Sequence, residues 1–204
     1  SNWETTAEGN QIRIYYGKIE FKLADGVNLN SLAAGDTYSD TFTYSIRMAN
    51  GTISVATVTV NIAGQNDGPV VAATDVTGAV TELVSPVGNL TDSGTIAFTD
   101  VDLTDAHSVG AVTPSAGALG TLNASVTADT TGTGTGGVIT WDYSVAASAV
   151  EYLAAGQSKV ETFTFTLSDG HGGTVDRTVE VTLTGTNDGP VVAATDVTGA
   201  VTEL

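Results

Sequence analysis

The sequence Asn66-Asp67-Gly68-Pro69 and the residues 70–83 that follow it return unchanged as Asn187-Asp188-Gly189-Pro190 and residues 191–204. The two copies are offset by 121 residues, a period too long for a solenoid unit and suited to one globular domain. The chain is therefore interpreted as a slice of a tandem array. Residues 1–66 form a partial (C-terminal half) or divergent repeat, 67–187 a complete repeat, and 188–204 the opening strands of the next one.

Apolar residues recur with a period of two on both sides of this stretch, and Thr, Val and Gly are abundant. Within residues 162–167, for example, threonine alternates with phenylalanine and leucine, which is typical of a strand with one buried face. The predicted strands are 12–16, 19–23, 42–46, 58–62, 70–73, 79–82, 95–99, 108–112, 121–126, 138–145, 159–168 and 174–184. Short helical turns are predicted at 28–34 and 149–155. Short strands separated by Gly, Asp, Asn and Pro predict an all-β protein, an antiparallel β-sandwich.

The chain is strongly acidic, with 23 Asp and Glu against 6 Lys and Arg and a net charge of −17. Residues 67–187 hold fourteen of the acids and only Lys159 and Arg177 as bases. This charge argues against nucleic acid or an anionic membrane as partner, since both need a basic footprint. No stretch approaches the roughly 18 apolar residues that span a bilayer, so no membrane insertion is predicted. The chain also has no cysteine, so something other than a disulfide must stabilise it if it works outside the cell.

The densest acidic cluster is Asp100, Asp102 and Asp105, directly after the predicted strand 95–99. Alternate spacing in an extended loop places the first two carboxylates on one side, and clustered hard oxygens suit Ca²⁺, which takes six to eight of them. Asn66 and Asp67 of the repeated stretch could complete such a shell at the boundary between units. Two further candidate ligands are Asp169 and Glu82. The alternative is that these are ordinary solvated turn residues, because Asp and Asn favour turns.

Three motifs give the chain a family resemblance: GTNDGP at 185–190, LSDGHGGT at 167–174 and FTDVD at 98–102. Together they resemble the VCBS and cadherin-like repeats of giant bacterial surface adhesins exported by type I secretion, the RTX adhesins. The resemblance covers 67–187 and, more loosely, 17–66. It implies an Ig-like or cadherin-like β-sandwich, tandem stacking, and Ca²⁺ in the linkers that stiffens the array into a rod. The Gly-Asp nonapeptides found near the C-termini of such adhesins do not occur here.

The resemblance also implies a set of ligands at each linker. They would be Asn66 and Asp67 at the first linker, Asn187 and Asp188 at the second, with Asp100 and Asp102 reaching the first linker from the unit that follows it. The chain departs from the family pattern at the end of the first segment, which lacks a clear acidic partner. The first linker is accordingly expected to bind fewer ions than a full one.

These observations predict a non-catalytic extender repeat of a secreted or surface-anchored bacterial adhesin, which projects a distal binding domain for cell adhesion or biofilm formation. The location expected is extracellular. No serine lies in a nucleophile-elbow pattern, and two histidines without cysteine make a poor zinc site. An enzyme is therefore the third alternative. The second is a carbohydrate- or host-surface-binding module, for which Trp3, Trp141 and Tyr143 are the available aromatic residues.

The expected partners are the adjacent repeats of the same chain and Ca²⁺. A half-sandwich over residues 1–66 would also leave open strand edges, which are templates for pairing with another chain. Strand exchange between copies is therefore a further expectation, with residues 188–204 as the donor segment.

Overall fold

A computed structural model of the protein describes residues 2–72, 75–190, 192 and 198–203. Its strands are β1 (Glu4–Thr5), β2 (Gln11–Tyr15), β3 (Lys18–Lys22), β4 (Thr37–Arg47), β5 (Ile53–Ala63), β6 (Val70–Val71), β7 (Thr77–Thr81), β8 (Asn89–Thr99), β9 (Ser108–Val109), β10 (Thr113–Pro114), β11 (Thr121–Ala128), β12 (Gly137–Ala146), β13 (Ser158–Ser168) and β14 (Thr174–Thr184). These described residues also form two 3-10 turns, at Leu29–Ser31 and Ala147–Ala149. In the described part of the chain no helix has the length and apolarity to cross a membrane. The all-β prediction is confirmed.

The predicted helical turns are only partly right. The first is shorter than the window 28–34, and the second shares only Ala149 with the window 149–155. Residue 73 of the predicted strand 70–73 lies outside the described residues, as do 191, 193–197 and 204 of the predicted third unit.

Residues 67–187 contain two facing sheets. One has the order β10-β13-β14-β7, with β9 also paired to β13, and the other has the order β11-β12-β8-β6. Among the described residues, β7 and β14 form the one parallel pair, with Thr77 opposite Glu180 and Thr81 opposite Thr184. The other strand pairs are antiparallel. The preceding strand, β6, pairs with β8 in the other sheet. The chain therefore crosses between the sheets before β7. Strands β7 and β14 are far apart in the chain, with β8 to β13 between them, so no tight hairpin forces them to pair antiparallel.

The core lies between these sheets and follows the predicted alternation. The side chains of Phe163, Phe165 and Leu167 from β13 are buried. Val179, Val181 and Leu183 from β14 and Trp141 and Tyr143 from β12 pack into the same cluster. Trp141 donates its indole N–H to the carbonyl of Asp75 over 2.8 Å, so its one polar atom is satisfied.

One ionisable group, Glu161 of β13, is fully buried inside this sandwich. Its carboxylate accepts the N–H of Leu119 at 2.6 Å, the N–H of Gly120 at 3.1 Å and the hydroxyl of Tyr143 at 2.9 Å. Burial and this carboxylate together raise the pKa of Tyr143, since both disfavour the phenolate. A buried carboxylate is tolerated when hydrogen bonds satisfy it, and this one ties the loop before β11 to both sheets.

The first segment contains a smaller arrangement. Strands β1, β2 and β3 form one sheet, and β4 and β5 form a separate two-stranded sheet. The sheets meet where the rings of Phe21 and Phe42 stack at 6.4 Å. Asp40 of β4 is also buried there, and it accepts the Thr6 hydroxyl at 2.6 Å and the Asn10 amide at 2.7 Å.

The β4–β5 pair repeats the geometry of β13–β14 at the 121-residue offset. Thr37 pairs with Ala63 as Ser158 pairs with Thr184, and the register is the same along the whole pair. Both pairs end in a glycine whose N–H donates to a carbonyl over 2.9 Å, Gly64 to Asp36 and Gly185 to Gln157. The boundaries proposed for the three units remain predictions, and this shared register supports them.

The close packing around these two glycines predicts a large steric effect of alanine substitution. A Cβ atom added to Gly185 would lie 2.3 Å from the Leu153 carbonyl oxygen and 2.6 Å from that of Ala154. Because backbone must shift to relieve this overlap, Gly185→Ala should lower the free energy of unfolding by at least about 2 kcal/mol. Urea unfolding would measure it. Gly189→Ala is the matched control, since nothing lies within 4 Å of the added atom, and equal losses in both variants would contradict the packing described.

Candidate functional site

Three predicted acids meet at one end of the sandwich. Asp100 follows β8, and Asp169 follows β13 in the opposite sheet. Together with Asp105 they place one carboxylate oxygen each within 4.8 Å of the others. All three are buried, at 2%, 1% and 0% relative exposure. We call Asn66, Asp67, Asp100, Asp102, Asp105 and Asp169 the first-linker cluster.

The linker joins this cluster directly. The Asn66 side-chain amide donates to Asp169 Oδ2 over 3.0 Å, and the backbone N–H of Asp67 donates to Asp102 Oδ2 over 2.7 Å. The structure thus brings Asn66 and Asp67 into contact with the loops that hold Asp100, Asp102 and Asp169, and the role of these residues as ligands stays a prediction. It places Asp105 and Asp169 in the same group.

Several oxygens of the cluster are buried and have no hydrogen-bond donor. Within the described residues they are Oδ1 of Asn66, Oδ1 of Asp102 and Oδ2 of Asp105. Asp105 Oδ1 lies 2.9 Å from His171 Nδ1 but accepts no well-directed hydrogen bond. Buried polar atoms are nearly always partnered, and buried ionised carboxylates cost still more when unpaired. A divalent cation with several oxygen ligands would remove this cost, and the donor set of carboxylate and amide oxygens is the one that Ca²⁺ prefers.

Local hydrogen bonds hold the acids in place. Asp100 Oδ1 accepts the N–H of Asp102 over 3.0 Å, a turn that aspartate forms with the backbone two residues on. Asp169 Oδ1 accepts the N–H groups of His171 at 2.8 Å and Gly173 at 3.0 Å. A Cβ atom at Gly173 would lie 2.0 Å from Asp169 Oδ2, so the close approach requires glycine. The DGHGG sequence at 169–173 therefore holds the Asp169 carboxylate in a fixed position.

The electrostatics of the cluster follow from burial and crowding. Burial raises the pKa of Asp102 most, and the charges of Asp100, Asp67 and Asp169 raise it further, against the hydrogen bond from the Asp67 N–H. Burial likewise raises the pKa of Asp105, partly offset by His171 and reinforced by neighbouring acids. Asp169 behaves differently: burial raises its pKa, but the hydrogen bonds from Asn66 and the backbone outweigh burial and hold it below its usual range. The cluster thus concentrates negative charge that hydrogen bonds only partly stabilise.

The sequence did not predict the second layer of contacts around the cluster. His107 is buried, with Nε2 3.0 Å from Asp100 Oδ2 and Nδ1 2.7 Å from Asp129 Oδ1. Burial lowers the pKa of His107, but these two carboxylates outweigh it and the net shift is upward. His171 has Nδ1 2.9 Å from Asp105 Oδ1. No sequence signal linked Asp129 to this site, because it lies 22 residues from His107.

The Gly-rich loop at 130–137 closes over the acidic loop. Gly134 accepts the N–H of Asp100 over 3.2 Å, Gly132 donates to the Leu103 carbonyl over 2.7 Å, and the Thr131 hydroxyl donates to the Asp105 carbonyl over 2.6 Å. The first segment contacts the same loop, since the Thr104 hydroxyl donates to Asp36 over 2.9 Å. The Gly-rich loop therefore shapes the site.

The remaining predicted residues lie at the second linker. Glu82, just after β7, accepts the N–H of Thr186 over 2.7 Å. Oxygens of Glu82, Glu151 and Asp188 lie within 4.8 Å of one another, and Oε1 atoms of Glu82 and Glu151 are buried without a hydrogen-bond donor. The amide of Asn187 donates to the Asp188 carbonyl over 3.4 Å, and Asn187 lines the same shallow pocket as Glu151.

Glu82 is thus separated from the first-linker cluster, although the sequence grouped it with Asp169 as a candidate ligand. The parallel pairing of β7 with β14 explains its place, because both strands end at the second linker. Glu151 was not predicted. Its counterpart 121 residues earlier is Asn30, so the repeat gave no acidic signal. Loss of hydration, Asp188 and Glu82 all raise the pKa of Glu151.

The aromatic residues considered for a sugar-binding face are not grouped on a surface. Trp141 and Tyr143 are buried in the core at 0% and 1% relative exposure. Trp3 lies in the first segment, where the guanidinium of Arg13 sits 4.5 Å from its ring centroid. The three residues therefore form no common binding face.

The sequence matches no known protein-family profile and no curated protein. Among solved structures, zebrafish RET cadherin-like domains 1 to 4 match at 14% identity with a TM-score of 0.38, covering 87% of this chain and 38% of that one. Mouse clustered PcdhgC3 EC1-3 matches at 13% identity and 0.38, covering 85% and 50%. A Porphyromonas gingivalis W83 protein of unknown function matches at 15% identity and 0.33, covering 81% and 71%. The chain spans under two fifths of the zebrafish structure and half of the mouse one, and these low scores leave its family open.

The raised pKa of Asp105 predicts an unusual mutational effect without divalent cations. Because its folded-state pKa lies above the unfolded value, ionisation near neutral pH costs folded-state stability, and that cost vanishes below the unfolded pKa. Asp105→Asn should therefore raise the melting temperature in chelator at pH 7 by about 2 to 5 °C, and the gain should shrink towards pH 3. Calorimetry would measure both. A lower melting temperature for the variant at pH 7 would contradict the charge repulsion described.

Proposed function

We propose that the chain is a non-catalytic extender repeat of a bacterial surface adhesin, whose units Ca²⁺ fastens into a stiff rod that projects a distal binding domain outside the cell. The observation that carries the proposal is the first-linker cluster. It places the Asn66 side chain and the Asp67 backbone N–H of the linker against buried carboxylates of the following sandwich, and several oxygens of the cluster lack a donor within the described residues.

The proposed role of the cation is mechanical. Asn66 and Asp67 would hold it from the linker, and Asp100, Asp102, Asp105 and Asp169 from the folded unit. A bound ion would offset the repulsion among these carboxylates and so fix the linker to the sandwich. The hydrogen bonds from Asn66 to Asp169 and from Asp67 to Asp102 already join the linker to the sandwich, and a bound ion would strengthen this contact.

The second linker supports the same arrangement. Glu82 and Glu151 of one unit lie beside Asp188 of the linker that follows it. A junction between two complete units would then draw ligands from both sides, acids like Glu82 and Glu151 from the preceding unit and acids like Asp100 and Asp102 from the next. In an array each unit would share its cations with its neighbours, which is what a rod requires.

The Ca²⁺ affinity expected of such a site suits an extracellular role. Extracellular modules commonly bind Ca²⁺ with Kd of about 10⁻⁴ to 10⁻³ M. At ten times Kd, one site stabilises the folded state by roughly 1.4 kcal/mol through mass action. Millimolar Ca²⁺ outside a cell would therefore occupy such sites and stabilise the linker.

Thermal unfolding tests the cation requirement. Millimolar Ca²⁺ should raise the melting temperature by about 2 to 4 °C per site over chelator, and Mg²⁺ at matched ionic strength should raise it less, because Mg²⁺ fits flexible protein cages poorly. Asp102→Asn should remove part of the rise. Asp142→Asn is the control, since it removes the same charge from an exposed position of the same unit. Equal effects of Ca²⁺ and Mg²⁺, or equal effects of the two variants, would refute the site.

The mechanical part of the proposal has its own test. Small-angle X-ray scattering of the chain should show a narrower distribution of interatomic distances in Ca²⁺ than in chelator, because the first segment and residues 67–187 would hold one orientation. A distribution that does not change although Ca²⁺ raises the melting temperature would leave a calcium-binding protein that is not a stiffened rod.

A further inference from the structure

The outward face of the sheet β1-β2-β3 carries half of the basic residues of the chain. Arg13 of β2 lies directly opposite Glu20 of β3. Lys18 and Lys22, two residues to either side of Glu20, share its face of the strand, and Lys22 lies 3.8 Å from Asp25. The whole chain has 6 Lys and Arg against 23 Asp and Glu, so this face is a basic exception on an acidic protein.

The opposite face of the same sheet is the one that packs. Phe21 stacks on Phe42 of β4, and Ile12 lines the cavity against that strand. The basic face therefore points away from the rest of its segment. The sandwich of residues 67–187 is built in the same way: β12, which like β3 precedes a 3-10 turn and a long hairpin, buries Trp141 and leaves the neighbouring Asp142 exposed.

Aromatic rings hold Arg13 on this face. Its guanidinium carbon lies 4.5 Å from the ring centroid of Trp3 and 4.6 Å from that of Tyr15. Its Nε donates to Glu20 Oε2 over 2.6 Å, and among the described residues this is the one hydrogen bond that the guanidinium makes. The two Nη groups remain available. A guanidinium fixed in this way is prepared to donate two parallel hydrogen bonds to a carboxylate.

The hairpin tip beside this guanidinium carries an unusual residue. Tyr15 pairs with Lys18, so Tyr16 and Gly17 form the turn, and both have positive φ, 46° and 71°. Such turns favour Asn, Asp or Gly at the first position, because a bulky residue at positive φ is strained. Tyr16 is 88% exposed, and its ring centroid lies 4.3 Å from that of Tyr15. A ring so exposed does little to offset the strain, which indicates a role outside the fold.

We propose that this face binds an acidic carbohydrate, a sugar chain that carries carboxylates. The residues of this basic-aromatic face are Trp3, Arg13, Tyr15, Tyr16 and Lys18. The Nη groups of Arg13 would bind one carboxylate, and Lys18 would attract the next. The exposed rings of Tyr15 and Tyr16 would pack against the C–H groups of the sugar rings. Trp, Tyr and Arg are the residues that contribute most to binding at protein surfaces.

Charge density favours a sugar chain over a nucleic acid. A DNA duplex carries about one negative charge per 1.7 Å of its length, and a protein of net charge −17 with one small basic face would repel it. A carboxylated sugar chain carries its charges further apart and presents apolar ring faces between them. An acidic peptide offers carboxylates without such ring faces. The ligand that combines both features of the basic-aromatic face is therefore an acidic sugar.

This binding would be independent of the proposed role of Ca²⁺. The basic-aromatic face shares no residue with the first-linker cluster, and it lies on strands β2 and β3 and the segment before β1. Experiments in chelator therefore test it alone. Chelator also removes the Ca²⁺ that acidic sugars themselves bind.

An NMR titration of the full chain with trigalacturonate in chelator tests the site. Amide signals of residues 13–18 and the indole signal of Trp3 should shift with a Kd of about 1 mM or tighter, whereas that of Trp141, buried in the core, should not. The matched ligand is the trimethyl ester, which keeps the rings and loses the charges. It should bind at least about tenfold more weakly. No saturable shift up to about 10 mM, or equal binding of the two ligands, would overturn the proposal.

Charge variants distinguish the Arg13 guanidinium from general attraction. Arg13→Gln should weaken trigalacturonate binding at least about tenfold. Arg47→Gln is the control, because it removes the same charge from an exposed position of the first segment, and it should change Kd less than about twofold. Lys18→Gln alters an exposed side chain without disturbing packing, and should weaken binding about two- to threefold. Equal losses for the two arginine variants, or no loss in Lys18→Gln, would contradict the site.

Tyr16→Asn separates binding from folding. Asparagine tolerates positive φ better than tyrosine does, so the variant should melt about 2 °C higher in chelator. It should nevertheless bind trigalacturonate at least about threefold more weakly, because the sugar loses an aromatic ring. A lower melting temperature with unchanged affinity would identify Tyr16 as a structural residue and overturn its part in the site.

Competition identifies the class of ligand. Trithymidylate and triglutamate match trigalacturonate in length and carry negative charge without sugar-ring carboxylates or without sugar rings. Each should bind the full chain at least about tenfold more weakly than trigalacturonate. Tighter binding of the oligonucleotide or of the peptide would overturn the assignment to a carbohydrate.

Discussion

The first linker depends on one constraint, the burial of several like charges at a single point. Asp100 and Asp105 come from the loop between β8 and β9 and Asp169 from the loop between β13 and β14, and their oxygens lie within 4.8 Å of one another. Hydrogen bonds from His107, from backbone N–H groups and from Asn66 satisfy some of these oxygens. Within the described residues Asp105 Oδ2 has no donor, and Asp105 Oδ1 lies 2.9 Å from His171 Nδ1. Such a cluster is costly alone and stabilising with a cation, so the same residues can set both the rigidity of the linker and its dependence on the medium.

The two β-hairpins that share a register show how one scaffold serves two settings. β4–β5 and β13–β14 pair identically, and each buries an acid at the same position, Asp40 and Glu161. Their partners differ: Asn10 and Thr6 both donate to Oδ2 of Asp40, whereas Tyr143 and two backbone N–H groups donate to the two oxygens of Glu161. The paired strands are thus the same in both segments, whereas the residues that pack against them differ. This difference explains why the apolar face of β13–β14 is buried and that of β4–β5 is partly exposed.

Most of the strands could be predicted because a half-buried strand imprints a period of two on its own residues. The direction of β7 could not, because alternation is the same whether a strand pairs in parallel or antiparallel. That direction matters for function, since it carries Glu82 to the second linker rather than the first. Glu151, His107 and Asp129 escaped prediction for a related reason: each acts through a residue distant in sequence, and no local pattern marks it.

The sequence by itself determined the period of 121 residues, the alternating strands, and the set of acidic loops flanked by Asn-Asp linkers. These are local properties, fixed by side-chain chemistry and spacing. Only the tertiary structure decided which acids share a site and which oxygens remain without a donor. Those facts depend on contacts such as that between Asn66 and Asp169, 103 residues apart, which form only when two sheets pack and bring the ends of their strands together.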